Sequence, residues 1–345
     1  MPADPGTRHP GPFFLWRHLN KLRWMTLSTV VAMLVLLPAL HVYQTYVAAH
    51  AYDLLSPSER RLYDVMEGLT APFVDDPAEA LDAIKGTTWS GSFWGLKLSD
   101  PLAALSQTAA GRGVHGPLLL TALIPLVFTL LLGRFFCGWL CPATFFYELN
   151  SNLAAWLGWA GLKLGDRRLD RRIKYGVLGL GLALSAATGS VLMAAVYPPA
   201  VIGREIYYAV AAGGFGAGTV YFLATLAFDL LVARRGFCRY LCPGGALYAL
   251  LGRARLVRIR RLVARCNDCA KCNAVCEFGL DPMGDRFGAD CTNCAACIAI
   301  CPTDAMTFVL RPTDVPDQGP GHRGRRHRGE YEIAPKPIAE GKAAA

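Results

Sequence analysis

Arg134-Phe135-Phe136-Cys137-Gly138-Trp139-Leu140-Cys141-Pro142 returns 101 residues later as Arg235-Gly236-Phe237-Cys238-Arg239-Tyr240-Leu241-Cys242-Pro243. The copies share Arg, Phe, both cysteines, Leu and Pro, and the match resumes at Tyr147 and Tyr248. Each copy ends an apolar run, Pro117 to about Phe136 in the first and about Gly214 to Ala233 in the second. A further apolar run leads each copy, about Trp24 to Val47 and about Ile173 to Val196. All four approach the roughly 20 residues that carry a helix across a bilayer. Pro38 and Pro125 inside them are better tolerated there than in soluble helices. Self-similarity at a fixed spacing marks a repeated supersecondary unit. The sequence therefore predicts a mainly α fold, a four-helix transmembrane bundle made of two repeated two-span units.

Composition agrees. Of 345 residues, 53% are hydrophobic and 18% charged, whereas a soluble domain is about a quarter charged. This argues against a soluble enzyme and against a disordered chain. Twelve cysteines in this length are too sparse for a small disulfide scaffold.

Basic residues orient the spans. Arg8, Arg17, Lys21 and Arg23 precede the first, seven lie from Arg134 to Lys174, and nine lie from Arg234 to Arg265 with no acid among them. One side thus holds 20, while the other holds six, Arg60, Arg61, Lys85, Lys97, Arg112 and Arg204. Both termini and the middle loop are expected in the cytoplasm. Residues 1–23 then form a cytoplasmic tail, 24–235 the membrane domain, and 48–116 an outer loop with nine acids against five bases. Ala48-Ala49-His50-Ala51 imitates a signal-peptide cleavage site. The apolar run is long for one, and an uncleaved first span gives an even count.

The remaining cysteines form two runs: Cys266-x2-Cys269-x2-Cys272-x3-Cys276, then Cys291-x2-Cys294-x2-Cys297-x3-Cys301-Pro302. This is the bacterial two-cluster ferredoxin pattern, in which the fourth cysteine of each run ligates the other cluster. The expected ligands are Cys266, Cys269, Cys272 and Cys301 for the first [4Fe-4S] cluster. Cys291, Cys294, Cys297 and Cys276 serve the second. Small neighbours (Ala270, Ala274, Ala295, Ala296) let backbone amides approach the sulfurs. Zinc sites also use Cys-x2-Cys pairs, but do not account for four cysteines per run or the closing Cys-Pro. Disulfides do not suit a reducing compartment. Glu277 stands where the first run would usually carry proline. Residues 266–310 are expected as a small cytoplasmic α+β module, 236–265 as the second motif with a basic connector, and 311–345 as a disordered tail.

Cys137, Cys141, Cys238 and Cys242 form a second constellation. A Cys-x3-Cys spacing puts both sulfurs on one helical face, and the prolines bend or restart the backbone. Two repeated pairs at matching positions point to a further redox or metal site, beyond small apolar side chains in helix packing. A third cluster, copper and dithiol chemistry all remain open.

Other features carry less. Arg253, Arg255, Arg258, Arg260, Arg261 and Arg265 suit anionic inner-leaflet lipid at roughly 1 kcal/mol per charge, and nucleic acid is not an expected partner. The segment from about Thr144 to Trp159 reads as an interfacial helix. His41 and Asp229 are ionisable groups at membrane depth. His41 with His50 or His115 is a weak haem or quinol candidate, and Asp229 lies near Arg234 and Arg235. Trp89-Ser90-Gly91-Ser92-Phe93-Trp94-Gly95 is an aromatic, glycine-rich stretch suited to docking a partner or the bilayer.

From about Trp24 to Leu310 the chain resembles the NapH/MauN family of membrane-bound ferredoxin-type proteins. The likeness includes Ser99-Asp100-Pro101-Leu102, a turn at Gly203-Arg204, and Cys242-Pro243 leading into Gly245-Ala246-Leu247-Tyr248. The same core is similar to the C-terminal half of NosR, whose outer flavin domain the loop here is too short to hold. The resemblance implies a multi-pass protein of the bacterial inner membrane with its clusters on the cytoplasmic face. It implies electron flow from the quinol pool towards a periplasmic reductase or redox enzyme, as the electron-transfer subunit of a quinol dehydrogenase with other ferredoxin-type subunits. The alternative is a maturation factor that reduces copper or thiols for a metalloenzyme, as CcoG-like proteins with similar cores do.

Overall fold

The computed structural model describes residues 13–310, apart from 51, 73–83, 87–89, 94, 112, 114–115, 163–164, 166 and 168. Helix α1 (Phe13–Ala48) carries the first apolar run unbroken, Pro38 included. At 1.5 Å per residue its 36 residues reach about 54 Å. Among the described residues, its His18–Ala48 stretch is the one helix long and apolar enough to cross a membrane. The other three expected spans fall on shorter apolar helices, Gly116–Leu132, Ile173–Thr188 and Ala217–Leu231.

Helix α2 (Pro57–Thr70) opens on a capping box between Ser56 and Glu59. Three short strands follow, β1 (Ile84–Gly86), β2 (Ser90–Phe93) and β3 (Leu96–Ser99), in one antiparallel sheet. The expected docking stretch is thus largely strand β2, while Trp89 and Trp94 lie outside the described residues. Next come α3 (Pro101–Gly111), α4 (Gly116–Leu132), the short α5 (Phe135–Trp139) and α6 (Pro142–Trp159), the last close to the expected interfacial helix. Then α7 (Ile173–Thr188), the single turn α8 (Met193–Val196), α9 (Pro198–Ala212) and α10 (Ala217–Leu231) complete the second half. A turn of π-helix over Phe237–Leu241 leads into α11 (Pro243–Leu251).

Local chemistry sets these boundaries. Among the described residues, five helices begin on a proline, Pro57, Pro101, Pro142, Pro198 and Pro243, whose missing N–H is an orphan at N1 in any case. Gly133 (φ +71°) stops α4 and Gly189 (φ +69°) caps α7 in the left-handed region. Glu205 of α9 accepts from the Gly216 N–H (2.6 Å) and the Thr219 hydroxyl (2.9 Å) and so caps α10. Gly203 and Arg204 lie inside α9, not in a turn.

The repeat is larger than a pair of spans with a motif. Helices α3, α4, α5 and α6 match α9, α10, the π-turn and α11. Asp100 and Tyr197, the residues before the first proline of each unit, meet. Asp100 Oδ2 accepts from the hydroxyls of Tyr197 (2.9 Å) and Tyr248 (3.0 Å), and Oδ1 from the Leu102 N–H (2.7 Å). Asp100 is buried and Leu102 fully so. Residues 99–111, expected in the outer loop, therefore pack among the helices and reach Tyr248 beyond the second cysteine motif. The main core joins Leu102, Cys141, Tyr147, Leu178, Tyr197, Phe237 and Cys242.

The C-terminal module pairs β4 (Val257–Arg261) antiparallel with β5 (Met306–Leu310), Ile259 facing Phe308. Between them lie two five-residue helices, α12 (Lys271–Val275) and α13 (Ala296–Ile300). The module accordingly begins near Val257, and part of the expected basic connector is its first strand. Its core includes Ile259, Cys272, Phe287, Cys291, Cys297, Ile298, Cys301 and Met306.

Candidate functional site

The two cysteine runs adopt the same backbone. Asp268 and Ala270 flank Cys269 with φ of +53° and +55°, and Asn293 and Ala295 flank Cys294 with +51° and +60°. Non-glycine residues pay for that region, and such strain concentrates where a site is shaped. Each run then enters a short helix carrying its third cysteine, Cys272 in α12 and Cys297 in α13. The fourth cysteines, Cys276 and Cys301, end these helices in extended conformation. The Cys301 sulfur accepts from the Ala305 N–H (3.2 Å).

Neighbouring thiols fall into the two crossed sets. Burial pushes Cys272 up to about 12, and Cys266, Cys301 and Cys269 add to the rise. Burial also pushes Cys291 up to about 12, with Cys294 and Cys276 adding. Cys297 is raised chiefly by burial, then by Cys294, Cys291 and Cys276, and last by Cys272 of the other set. Without iron these thiols hold their protons, and binding must displace them. Among the described residues, no three His, Cys, Asp or Glu side chains close on a point fit for one metal ion. A donor set made only of soft cysteine sulfur is the chemistry of an iron–sulfur cluster.

The four cysteines of the helical domain also come together. Cys141 and Cys242 are buried in the main core, with Cys238 packed against it. Burial raises all four thiols, and every pair among Cys137, Cys141, Cys238 and Cys242 interacts electrostatically. The Cys242 sulfur accepts from the Gly245 N–H (3.3 Å). The expected single helical face is not formed, because Cys141 and Cys242 sit extended (ψ 117° in both), just outside the helical turns. Pro142 and Pro243 are the cause, since the residue before proline is driven from the helical region.

Between the two constellations lies a close joint. Gly138, between Cys137 and Cys141, lies against Thr292, between Cys291 and Cys294, and a Cβ there would stand 2.7 Å from the Thr292 carbonyl oxygen. Trp139 Nε1 donates to the Asn293 carbonyl (3.0 Å), and Asn293 Nδ2 donates to the carbonyls of Leu132 (2.9 Å) and Val257 (3.0 Å). Arg134 Nη1 donates to Asp290 Oδ1 (2.9 Å), joined there by Lys174 and by Arg171 (3.1 Å). Arg235 Nε donates to Glu277 Oε2 (2.6 Å), and Arg235 Nη2 to Glu148 Oε1 (3.0 Å), which Arg23 also meets (2.5 Å). Burial works to raise both module acids, yet Arg134 and Lys174 hold Asp290 below the usual carboxylate range. Arg235 and Arg234 do the same for Glu277.

Sequence reasoning missed Arg23, Trp139, Glu148, Asp290 and Asn293. The available signal was the repeated arginine three residues before each first cysteine, together with acids beside Cys276 and Cys291. Asp229 proves to be an anchor of the π-turn, its Oδ1 accepting from the Phe237 N–H (2.7 Å). His41 is exposed, its ring 6.3 Å from that of Tyr207, and His115 lies outside the described residues.

A helical domain with paired thiols and a docked ferredoxin-like module defines an iron–sulfur electron-transfer protein of the ferredoxin type. A family model described as a 4Fe-4S binding domain matches residues 114–162 and 216–262, the two repeats with their Cys-x3-Cys-Pro motifs. The chain is 35% identical to the methylamine utilization ferredoxin-type protein MauN of Methylorubrum extorquens, over 65% of this chain and 75% of that protein. It is 36% identical to the ferredoxin-type protein NapH of Haemophilus influenzae, over 60% and 70%. To MauN of Paracoccus denitrificans it is 33% identical, over 74% and 83%. The chain belongs to this NapH/MauN family of ferredoxin-type proteins. No solved structure matches it.

Proposed function

We propose that the chain is a multi-pass electron-transfer protein of the bacterial inner membrane that takes electrons from quinol and passes them towards a periplasmic reductase or redox enzyme. In this reading α4, α7 and α10 span with α1, and both termini, all twelve cysteines and the module lie on the cytoplasmic side. The 20 to six distribution of basic residues supports that orientation. Cys266, Cys269, Cys272 and Cys301 hold one [4Fe-4S] cluster, and Cys276, Cys291, Cys294 and Cys297 the other. The observation that carries the reading is the matching left-handed pair around Cys269 and Cys294, with Cys301 acting on Cys272 and Cys276 acting chiefly with Cys291, Cys294 and Cys297.

Cys137, Cys141, Cys238 and Cys242 are a further redox or metal site under the same reading. Their burial and mutual approach also favour the second reading, in which the protein reduces copper or thiols while a metalloenzyme matures. Quinol analogue added to anaerobically purified protein separates the readings. Cluster reduction followed by EPR is the expected result, with about eight irons per chain for two clusters. About twelve irons place a third cluster on the four helical-domain thiols. Clusters that quinol leaves oxidised, beside a partner enzyme lacking its own cofactor in cells carrying Cys294→Ser, overturn the quinol reading in favour of maturation.

A further inference from the structure

We infer that the two clusters have fixed and unequal places. The cluster of Cys276, Cys291, Cys294 and Cys297 is the junction with the helical domain's thiols. That of Cys266, Cys269, Cys272 and Cys301 is the terminal at which electrons are exchanged with the aqueous side. This rests on the two-cluster reading above.

The joint is built from neighbours of the second cluster's ligands. Asp290 precedes Cys291 and takes Arg134 and Lys174; Glu277 follows Cys276 and takes Arg235. Thr292 and Asn293, the two residues linking Cys291 to Cys294, are those against Gly138 and Trp139. One peptide stretch from each site thus touches the other. From Cys137 the path runs along two bonded residues to the Trp139 indole, across a 3.0 Å hydrogen bond to the Asn293 carbonyl, and on to Cys294. The arginines three residues before each first cysteine tie both repeats to that same cluster, so the pseudo-symmetric helical domain addresses one cluster twice.

The first cluster's run has the opposite setting. Cys269 is exposed, and so are Asn267, Asp268 and Lys271 around it. Its charge pairing is internal to the module, Arg261 Nη1 lying 3.1 Å from Asp268 Oδ1 and 3.7 Å from the Cys266 sulfur. A soluble one-electron carrier can approach Cys269 directly, whereas the peptide beside Cys294 is covered by Trp139. Clusters held by these two sets of cysteines would supply one-electron exchange between the sets, with no bond made and no proton moved.

The test is EPR relaxation of full-length protein, purified anaerobically in detergent and reduced with dithionite, with and without a dysprosium chelate in the water. Cys269→Ser marks the first cluster's signal and Cys294→Ser the second's. The signal marked by Cys269→Ser is expected to relax several-fold faster with the chelate, and the other to stay nearly unchanged. Equal enhancement, or a stronger effect on the second signal, overturns the order. Where a variant loses its cluster, the wild-type protein still decides, since two signals that respond alike are incompatible with a covered and an exposed cluster. Iron well below about eight per chain with no pair of signals overturns the two-cluster reading itself, and so is distinct from two clusters in the wrong order.

Discussion

The Arg235 guanidinium crosses 42 residues of sequence to stand 2.6 Å from Glu277 Oε2, beside Cys276. Its counterpart in the first repeat, Arg134, crosses 156 residues to Asp290, beside Cys291. Glu277 is the residue that replaces the usual proline of a ferredoxin run, and its ion pair gives the replacement a physical reason. A proline could not accept that proton donor. The cluster module is thus fastened by two copies of one arginine, each reading a different acid.

Asp290→Asn should undo the stronger fastening. It leaves Arg134 and Lys174, 1% and 0% exposed, without a carboxylate. Stranding a buried charge costs about 3–5 kcal/mol, so hydrogen exchange in the joint at Thr292 and Asn293 should quicken by roughly two to three and a half decades. Protection unchanged within tenfold would count against the ion pairs.

Glu277→Gln should cost less, because Arg235 keeps Glu148 at 3.0 Å. A loss of about 1–3 kcal/mol is expected, the desolvation cost of a weakened buried partner. The comparison to make is the same exchange measurement beside Asp290→Asn, with Asp290→Asn the more damaging of the two.

Tyr197→Phe and Tyr248→Phe should each weaken the packing of α3 by about 0.5–1.5 kcal/mol. Both hydroxyls donate to one oxygen, Asp100 Oδ2, so the remaining donor tightens when the other is lost and the pair should couple by about 0.5 kcal/mol or more. A double-mutant cycle of thermal stability in detergent measures the coupling. Strict additivity would mean the tyrosines act through packing alone. Asp100→Ala should exceed either, since it leaves two buried hydroxyls and the Leu102 N–H without their acceptor.

Much of this architecture was legible. The spacing of Cys266 to Cys301 contains the module's chemistry, and the offset between Arg134 and Arg235 contains the repeat. What stayed hidden depends on contacts between distant segments. Val257 and Ile259 alternate with Arg258 and Arg260, a strand pattern, but the partner strand lies about fifty residues on and the arginines drew the reading to the membrane. Pro101 and Pro198 mark helix starts, yet no periodicity tells that residues 99–111 pack inward to Tyr248. The cysteine pairs misled for a local reason, proline overriding helical spacing at Cys141 and Cys242.

The crossed ligand sets proposed above give the sharpest prediction. Cys276 belongs to the first run by sequence, but its neighbours in space are Cys291, Cys294 and Cys297. Cys301 ends the second run and lies with Cys272. Cys276→Ser should therefore perturb the EPR signal that Cys294→Ser perturbs, and Cys301→Ser the one that Cys269→Ser perturbs. A serine oxygen is a harder and weaker ligand for iron than thiolate, so the altered cluster should also lose iron first during aerobic exposure. If Cys276→Ser instead reproduced the Cys269→Ser spectrum, each run would wrap its own cluster. The joint at Asn293 would then face a cluster that does not include Cys276, and Arg235 and Arg134 would be fastened to different clusters.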